Sequence, residues 1–249
     1  MKTTKTLLII SILTMILLSA CNLYVFGNPV IKGSGEIISK EYDVSNFDKV
    51  VINSYGRMIL KQSGVESLEI EAEDNILPEL EVEVRNNTLY IGFNEPEWKD
   101  TILPTRTIIY FLNVKEIEEL EINGALDIEA DDVETTEFTI TTNGAGNFEF
   151  DSLDVKDLNV ILNGGAKFEM SGEAINQDIT FNGAGEYYAG DLETQATNII
   201  IRGAGNATVW ATDSLRAEID GAGNINYYGK PDISQEINGV GTINRMGER

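Results

Sequence analysis

The sequence predicts an all-β, right-handed parallel β-helix-like solenoid built from Gly-x-Gly repeats of about 20 residues. Apolar residues recur between the turns at alternate positions, as in half-buried strands. A fixed period of this length is typical of stacked coils, each of which buries its inner face against its neighbours. Connections between parallel strands are right-handed in nearly all proteins, which predicts the hand. The repeated turns begin at seven evenly spaced glycines: Gly124, Gly144, Gly164, Gly183, Gly203, Gly221 and Gly239.

The amino-acid composition excludes several classes of function. The 249 residues suffice for one or two domains, and a hydrophobic content of 42% allows a packed core. The net charge of −23 makes nucleic acid an unsuitable partner. The chain has no histidine, so Ser/His/Asp and Cys/His catalytic sets are excluded together with the commonest metal ligand. A single cysteine excludes an internal disulfide, and nothing in the sequence calls for a cofactor.

Residues 1–20 have the features of a signal peptide. Lys2 and Lys5 precede an apolar run from Leu7 to Leu18, which is too short for a membrane span. The segment ends in Leu18-Ser19-Ala20-Cys21, which resembles the lipobox of bacterial lipoproteins. The resemblance implies cleavage before Cys21 and a lipid group on its sulfur.

An acylated Cys21 would make the membrane a partner of this protein, because two or three acyl chains anchor a protein stably. We therefore expect a lipid-anchored protein of the cell envelope, with the outer membrane or cell surface favoured over the inner membrane. Two alternatives stay open: a plain signal peptide followed by a chance cysteine, and an uncleaved anchor.

Residues 21–35 read as the lipidated cysteine and a tether, because Pro29, Gly33 and Gly35 disfavour regular structure. Residues 36–249 are expected to form the β-helix domain, with a hairpin-bearing part over 36–122 and regular repeats over 123–249. Ser54-Tyr55-Gly56 resembles an early, degenerate copy of the repeated turn.

The 36–122 part shows a strand pattern and no amphipathic helix. Apolar and acidic residues alternate over Leu68–Ala72 and Leu80–Val84, as in half-buried strands. Asn86 and Asn87 tolerate positive φ and predict a tight hairpin turn into the strand Thr88–Ile91. The remaining expectations are a loop over Glu95–Pro104 and strands over Thr107–Phe111 and Ile117–Ile122.

The repeated turns have a structural explanation. A chain that reverses within two residues needs positive φ, which glycine adopts at no steric cost, so we attribute the glycines to that conformation. Asparagines precede five of the turns and are expected to hydrogen-bond from coil to coil: Asn123, Asn143, Asn163, Asn182 and Asn238. Arg202 and Asp220 interrupt this column side by side and are expected to pair with each other.

Residues 35–249 resemble the bacterial family called "putative auto-transporter adhesin, head GIN domain". The resemblance rests on Phe47-Asp48-Lys49-Val50 before Ser54-Tyr55-Gly56, on Gln62-Ser63-Gly64, on Asn87–Ile91 and on the Gly-x-Gly ladder. Leu126 and Ala166 depart from the pattern at the second glycine, and Thr107–Val114 lacks the usual proline. The resemblance implies adhesion and brings no catalytic residues.

Two surface features are candidate sites. Carboxylates recur in two outward columns, with Glu129, Glu149 and Glu169 in one and Asp131 and Asp151 in the other. Like charges one coil apart repel, and a hard cation such as Ca²⁺ would relieve the repulsion, so these residues are weak metal candidates. The alternative is a solvated acidic face, and the calcium-binding Gly-Gly-x-Gly-x-Asp repeat is absent from the sequence.

The second feature is an aromatic strip. Trp210 and Tyr228 occupy one repeat column a coil apart, with Met246 beyond, and Tyr188 points outward on a neighbouring column. Exposed aromatic residues can hold a sugar ring or a partner protein, which makes this strip the candidate ligand surface. The alternative is that the column turns inward and belongs to the core.

Three classes of function follow. The favoured one is noncatalytic adhesion or binding of an extracellular glycan or protein. The second is a structural or regulatory envelope protein. The third is a carbohydrate-active enzyme, for which two carboxylates, or basic groups near Arg202, Arg216 and Asp220, would have to meet in a cleft. The ligand and the oligomeric state do not follow from the sequence.

Overall fold

The computed structural model describes residues 24–25, 28–93 and 101–249, with side chains over 30–93 and 102–249. The expected signal peptide, Cys21 and most of the expected 95–104 loop lie outside this part. Among the described residues no helix could cross a bilayer, because none is long and apolar enough.

Strands account for most of the described chain, and the only helical element within it is a 3-10 turn at Leu77–Glu79. The strands are β1 (Tyr24–Val25), β2 (Asn28–Lys32), β3 (Ile37–Tyr42), β4 (Lys49–Asn53), β5 (Tyr55–Gln62), β6 (Ser67–Glu73), β7 (Leu80–Arg85), β8 (Thr88–Phe93), β9 (Thr101–Leu103), β10 (Ile109–Val114), β11 (Glu119–Ile122), β12 (Ala125–Thr142), β13 (Ala145–Leu162), β14 (Gly165–Phe181), β15 (Ala184–Ile201), β16 (Ala204–Ile219), β17 (Ala222–Tyr228), β18 (Asp232–Ile237) and β19 (Val240–Gly247).

Each long strand bends around a three-sided coil. In β12 the buried residues fall into three groups, and the register with β13 skips Asp131 and Thr136, where the coil turns. We call 125–131 the first side, 132–136 the second and 137–142 the third, and we use the same names for the equivalent segments of other coils. The third corner is the glycine turn.

The coils stack in parallel, which confirms the predicted parallel β-solenoid. On the first side the ladder runs β19-β17-β16-β15-β14-β13-β12-β5-β10. On the third side it runs β18-β16-β15-β14-β13-β12-β11-β4-β8. At the N-terminal end the pairing becomes antiparallel, with β6 and β3 added to the first side and β7 to the third.

The core is a set of apolar columns along the inside of the stack. One of them places Phe148, Phe168 and Tyr187 in successive coils, with ring centroids 4.7 and 5.9 Å apart. All three rings are buried, as the alternation in the sequence predicts. Burial of such large side chains is the dominant favourable term in folding.

A chain of polar groups also lies inside the stack. Gln177 donates from Nε2 to the Tyr187 hydroxyl at 2.7 Å, and Thr197 donates to Gln177 Oε1 at 3.4 Å. The hydroxyls of Thr194 and Thr197 are 2.6 Å apart, and Thr194 donates to the carbonyl of Trp210 at 2.7 Å. Because each group finds a partner, its burial is tolerated.

The N-terminal part contains both agreements and corrections. The hairpin at Asn86 and Asn87 is confirmed: β7 and β8 pair antiparallel, and the two asparagines have φ of 51° and 61°. Two expectations of irregular structure are wrong in part. The segment expected to be a tether contains β1 and β2, and the segment expected to be a loop contributes β9, which pairs in parallel with β2.

The side chain of Glu73, on β6, connects the stack to two neighbouring backbone segments, at Gly35 and at Thr105. The side chain is only 1% exposed, and its carboxylate accepts hydrogen bonds from the backbone N–H of Gly35 (2.6 Å) and of Thr105 (2.8 Å) and from the Thr105 hydroxyl (2.5 Å). Burial alone would raise the pKa of Glu73, but these donors outweigh it and hold the pKa below its usual value.

The reason expected for the glycine turns is wrong. Among the seven first glycines none has positive φ. A Cβ on any of them would instead lie less than 3.0 Å from the carbonyl oxygen of the equivalent residue one coil earlier, as at Gly183 over Gly164. In the first repeat that carbonyl belongs to Ser54, which confirms that Ser54-Tyr55-Gly56 is an early copy of the turn.

The asparagine column forms the expected ladder. Each Nδ2 donates to the Oδ1 one coil earlier: Asn123 to Asn53, Asn143 to Asn123, Asn163 to Asn143 and Asn182 to Asn163, at 2.7–2.8 Å. Arg202 continues the row by donating to Asn182 Oδ1 at 3.4 Å, whereas Asp220 accepts from Asn238 at 3.0 Å. The expected pairing of Arg202 with Asp220 is replaced by these contacts.

Candidate functional site

The aromatic strip lies where the first side of the coil meets the second. Tyr188 is on β15 and Trp210 on β16, and Trp210 pairs with Tyr228 on β17 one coil further on. Tyr188 is 40% exposed, whereas Trp210 and Tyr228 are half-buried. Met246 does not continue the column, because a bulge in β19 places Gly247 opposite Tyr228.

The ring of Tyr228 lies over Gly190. A Cβ at Gly190 would lie 3.1 Å from Cε2 of Tyr228 and 3.2 Å from the methyl group of Thr208, so the glycine leaves room for the ring. The ring also lies near Arg249, whose guanidinium carbon is 5.1 Å from the centroid. Arg249 also pairs with Asp191, and these contacts account for the half-buried state of Tyr228.

Trp210 sits at an irregularity of the stack. The register of β15 with β16 jumps from Ala189–Val209 to Glu193–Trp210, so three residues of β15 bulge next to the indole. The backbone carbonyl of Trp210 accepts the hydrogen bond from Thr194. This corner is therefore held in place from inside the stack, which gives the strip a defined shape.

Tyr188 borders an acidic depression. A cavity of about 180 Å³ beside it is lined by Glu149, Asp151, Glu169 and Asp191, together with Phe150, Met170 and Ser171. Glu186 raises the pKa of the Tyr188 hydroxyl, first by its hydrogen bond and also by its charge. The ammonium group of Lys167 lies 5.6 Å from the centroid of the ring. An aromatic face bordered by carboxylates favours neutral or cationic groups over anions.

The glutamate column of the acidic candidates is present in the stack, whereas Asp131 and Asp151 lie at a corner that the strand register skips. Glu129, Glu149 and Glu169 are register partners in successive coils. Two of them have a basic neighbour, since Glu129 pairs with Arg57 and Glu169 with Lys167, and Asp131 lies 3.9 Å from Lys61. Within the described part of the chain no three acidic or cysteine side chains form a group that could hold a metal ion.

The basic groups considered for catalysis are not brought together. Arg202 donates to Asn182, whereas Arg216 donates to Asn198 and pairs with Glu218. Asp220 accepts from Asn238. Each group is engaged with a different neighbour.

A polar groove runs across the third side, and the sequence analysis did not single it out. It has a volume of about 410 Å³ and an open shape. Its outward lining residues hydrogen-bond along the stack, from Asn176 to Asp157 (2.6 Å) and from Asn198 to Asp178 (2.8 Å). In the sequence, the signal of this groove is that short polar residues recur at the coil spacing. The glycine turns recur at the same spacing and hide this signal.

The fold has counterparts in other proteins. The family described as "Putative auto-transporter adhesin, head GIN domain" matches residues 46–231. A solved structure of a "putative adhesin" from Bacteroides fragilis superposes with a TM-score of 0.81 at 28% identity, covering 87% of this chain and 100% of that chain. No curated protein is significantly similar to the chain.

Two further solved structures share the fold alone. A "putative lipid binding protein" from Parabacteroides distasonis superposes with a TM-score of 0.63 at 23% identity, covering 87% of this chain and 99% of that chain. A "putative adhesin" from Parabacteroides merdae superposes with a TM-score of 0.61 at 21% identity, covering 87% and 98%. At these identities neither brings a ligand to the present chain.

Proposed function

Because the chain belongs to the family described as "Putative auto-transporter adhesin, head GIN domain", we propose that it is a noncatalytic protein of the cell envelope that binds an extracellular ligand. The observation that carries this proposal is the corner formed by Tyr188, Trp210 and Tyr228, where aromatic rings stand on a rigid stack. Aromatic side chains on rigid elements bind with little loss of conformational entropy.

The ligand that suits this corner best is a neutral glycan. The faces of sugar rings pack on aromatic rings, and the neighbouring carboxylates can accept hydrogen bonds from hydroxyl groups. The net charge of −23 opposes anionic polymers. A basic protein partner is the second possibility for the same surface, because Asp191, Glu149 and Glu169 border Tyr188.

Binding can be tested on residues 22–249, which retain every hydrogen bond and strand pairing described above. A glycan array gives the ligand, and Tyr188→Ala should then weaken binding at least tenfold without changing the melting temperature, because the ring is 40% exposed. Tyr90→Ala is the matched control, since it removes a tyrosine ring from β8, at the opposite end of the stack. Equal binding by the parent and Tyr188→Ala would remove this residue from the site.

Trp210 and Tyr228 require a stability measurement as well. Both side chains are half-buried, so they could act in binding or in packing. Measuring both the ligand affinity and the melting temperature of Trp210→Ala and Tyr228→Ala separates these two roles. Weaker binding with a melting temperature close to that of the parent would support a ligand surface. A loss of roughly 3–5 kcal/mol, as for large aromatic residues of a core, would assign both rings to packing instead.

We also propose that Cys21 carries the lipid that holds the protein to the membrane. The lipobox-like Leu18-Ser19-Ala20-Cys21 supports this proposal. Cys21→Ser should abolish fatty-acid labelling and move the protein from the membrane fraction to the soluble fraction. Unchanged labelling and retention would refute lipidation at this residue. Because the solenoid does not depend on the anchor, the melting temperature serves as the control.

A further inference from the structure

The last coil of the stack exposes the edges of two strands. Within the described residues β18 pairs only with β16 and β19 only with β17, so each has one free edge. Ile233 and Ile237 are 41% and 44% exposed, although their register partners one coil earlier, Leu215 and Ile219, are buried. Apolar side chains and unpaired backbone groups at such an edge favour association with another strand.

The opposite end of the stack also exposes two apolar side chains, Ile37 and Ile38, but its outermost strands carry charged residues. The outermost strands there are β3 and β7, which add to the ladders in antiparallel fashion. β3 carries Lys40 and Glu41, and β7 carries Glu81, Glu83 and Arg85. Charged side chains on an edge strand are a common device against strand addition.

The two free edges differ in charge. The outward row of β18 contains Asp232 and Glu236, so two copies of this strand would oppose carboxylates. Up to the bulge before Gly247 the outward row of β19 is uncharged and consists of Val240, Thr242 and Asn244, and Met246 lies at the bulge. Val240 and Met246 are 77% and 55% exposed. An eight-residue edge with an uncharged outward row is suited to pairing with itself.

We propose that β19 pairs antiparallel with β19 of a second copy across a two-fold axis at Ile243, which joins two solenoids end to end. This register sets Thr242 opposite Asn244 of the second copy and brings Val240 to the bulge of the second copy that contains Met246. Both matches are chemically favourable, since the first joins two polar groups that can hydrogen-bond and the second joins two apolar groups.

The same two-fold rotation also determines which sides of the two end coils face each other. A two-fold axis perpendicular to the first side maps that side onto itself and exchanges the second and third sides. The acidic row of β18 therefore approaches the corner of the second copy that carries Lys230, which pairs with Glu248 of its own chain, and does not approach another acidic row. The acidic rows and the long acidic columns of the two copies therefore remain apart.

Sedimentation of residues 22–249 tests the proposal. The parent should form a dimer whose population grows with concentration and, because each copy of residues 22–249 has 16 basic and 41 acidic residues and so a charge of −25, with added salt. The double variant Thr242→Lys/Asn244→Lys should be monomeric, since its lysines would oppose each other across the axis. Asn224→Lys/Asn226→Lys is the matched control, because these positions are the register partners one coil inside the stack.

The register is tested by crosslinking. Cross-strand partners have Cα atoms about 4.5–5.5 Å apart, within the range that a disulfide spans. Since residues 22–249 contain no cysteine, Thr242→Cys/Asn244→Cys should oxidise to a covalent dimer, and Asn224→Cys/Asn226→Cys should not. A monomeric parent at all concentrations, a dimer that persists in the edge lysine variant, or equal crosslinking of both cysteine variants would overturn the proposal. Because no ligand is involved, this outcome is independent of the proposed function.

Discussion

At the scale of single residues, Gly183 shows what the repeated glycine contributes. The coils approach so closely at this corner that a Cβ would overlap the carbonyl oxygen of Gly164. The backbone amide of Ala184 donates to that same oxygen at 2.9 Å, so the carbonyl is fixed by the ladder and cannot move aside. The absence of a side chain, and not an unusual φ, is therefore the property on which the turn depends.

Substitution of Gly183 tests this explanation. Gly183→Val should destabilise the protein by about 1–3 kcal/mol, because added methyl groups in a close-packed site force the coils apart. The control is Gly165→Ala, since a Cβ there has only one neighbour, at 3.9 Å. The control should leave the stability unchanged or raise it by about 0.4–1 kcal/mol, because alanine lowers the conformational entropy of the unfolded chain. Denaturant titration gives both values, and similar losses in the two variants would contradict the close-approach explanation.

Glu73 makes stability depend on pH. Its folded pKa lies below that of the unfolded chain, so its contribution is fully present above the unfolded value and is lost as the pH falls through the folded one. Glu73→Gln should therefore lower the melting temperature at pH 7, and the difference between variant and parent should shrink as the pH falls below about 4. Thermal melts over this range measure it. A difference that stays constant with pH would show that the charge of Glu73 does not matter.

The sequence predicted the residues of the turns better than their physical role. The spacing locates the glycines and asparagines, and the amide ladder follows because side chains one coil apart are about 4.8 Å apart. The spacing does not reveal φ, so positive φ and close approach, which both select glycine, could not be told apart. Likewise, Arg202 and Asp220 are adjacent in their column, but Arg202 is long enough to reach Asn182 instead.

At the scale of elements, the alternation of inward and outward residues along β14 decides which substitutions matter. Phe168 packs between Phe148 and Tyr187, whereas its neighbour Glu169 points to solvent and pairs with Lys167. Phe168→Ala should cost about 3–5 kcal/mol. Glu169→Ala should change the stability by at most about 1 kcal/mol, since an exposed ion pair contributes little. Urea denaturation of the pair of variants checks this, and equal effects would contradict the observed alternation.

Elements with local signals were predicted, and elements without them were not. The β7–β8 hairpin follows from Asn86 and Asn87, whose side chains tolerate positive φ. β2 and β9 are stabilised by pairing with each other although they are about 70 residues apart in the sequence. Neither strand has a local signal, and Pro29 in β2 disfavours a strand. The polar chain at Gln177 and Thr197 was also hidden, because an inward polar residue looks like an outward one unless its partner is known.

At the scale of the whole molecule, charge should govern stability more than individual ion pairs do. The chain has 41 acidic and 18 basic residues, and several of its ion pairs are exposed, such as Lys49–Glu119 at 3.0 Å. Salt weakens these pairs slightly but also screens the much larger repulsion among the excess carboxylates. The net effect of salt is therefore stabilising.

This balance predicts that the melting temperature at pH 7 rises as NaCl increases from about 10 to about 150 mM, over which the screening length falls from roughly 30 to 8 Å. The control is the same series near pH 4.2, where the net charge is close to zero and the salt effect should largely vanish. A melting temperature that falls with salt at pH 7 would mean that the ion pairs outweigh the repulsion.

The candidate site was only partly accessible from the sequence. The repeat alignment placed Trp210 opposite Tyr228, as found, because columns follow directly from the coil period. It could not give their half-buried state, which arises from a bulge in β15, from the space left by Gly190 and from Arg249. The glycine spacing falls from 20 residues (Gly183 to Gly203) to 18 (Gly203 to Gly221), so the sequence shows that the two coils differ in length, but it does not show at which corner the extra residues bulge.

The amide ladder has a direction, and this direction has an electrostatic consequence. From Asn53 to Asn182 every amide points its NH₂ group toward the N-terminal coils and its oxygen toward the C-terminal ones, so the small dipoles add head to tail along the stack. The negative end of the row is the oxygen of Asn182, and there the guanidinium of Arg202 donates its hydrogen bond. The positive charge of Arg202 therefore lies at the negative end of a row of aligned dipoles, as the charge of a basic residue does at the C-terminus of an α-helix.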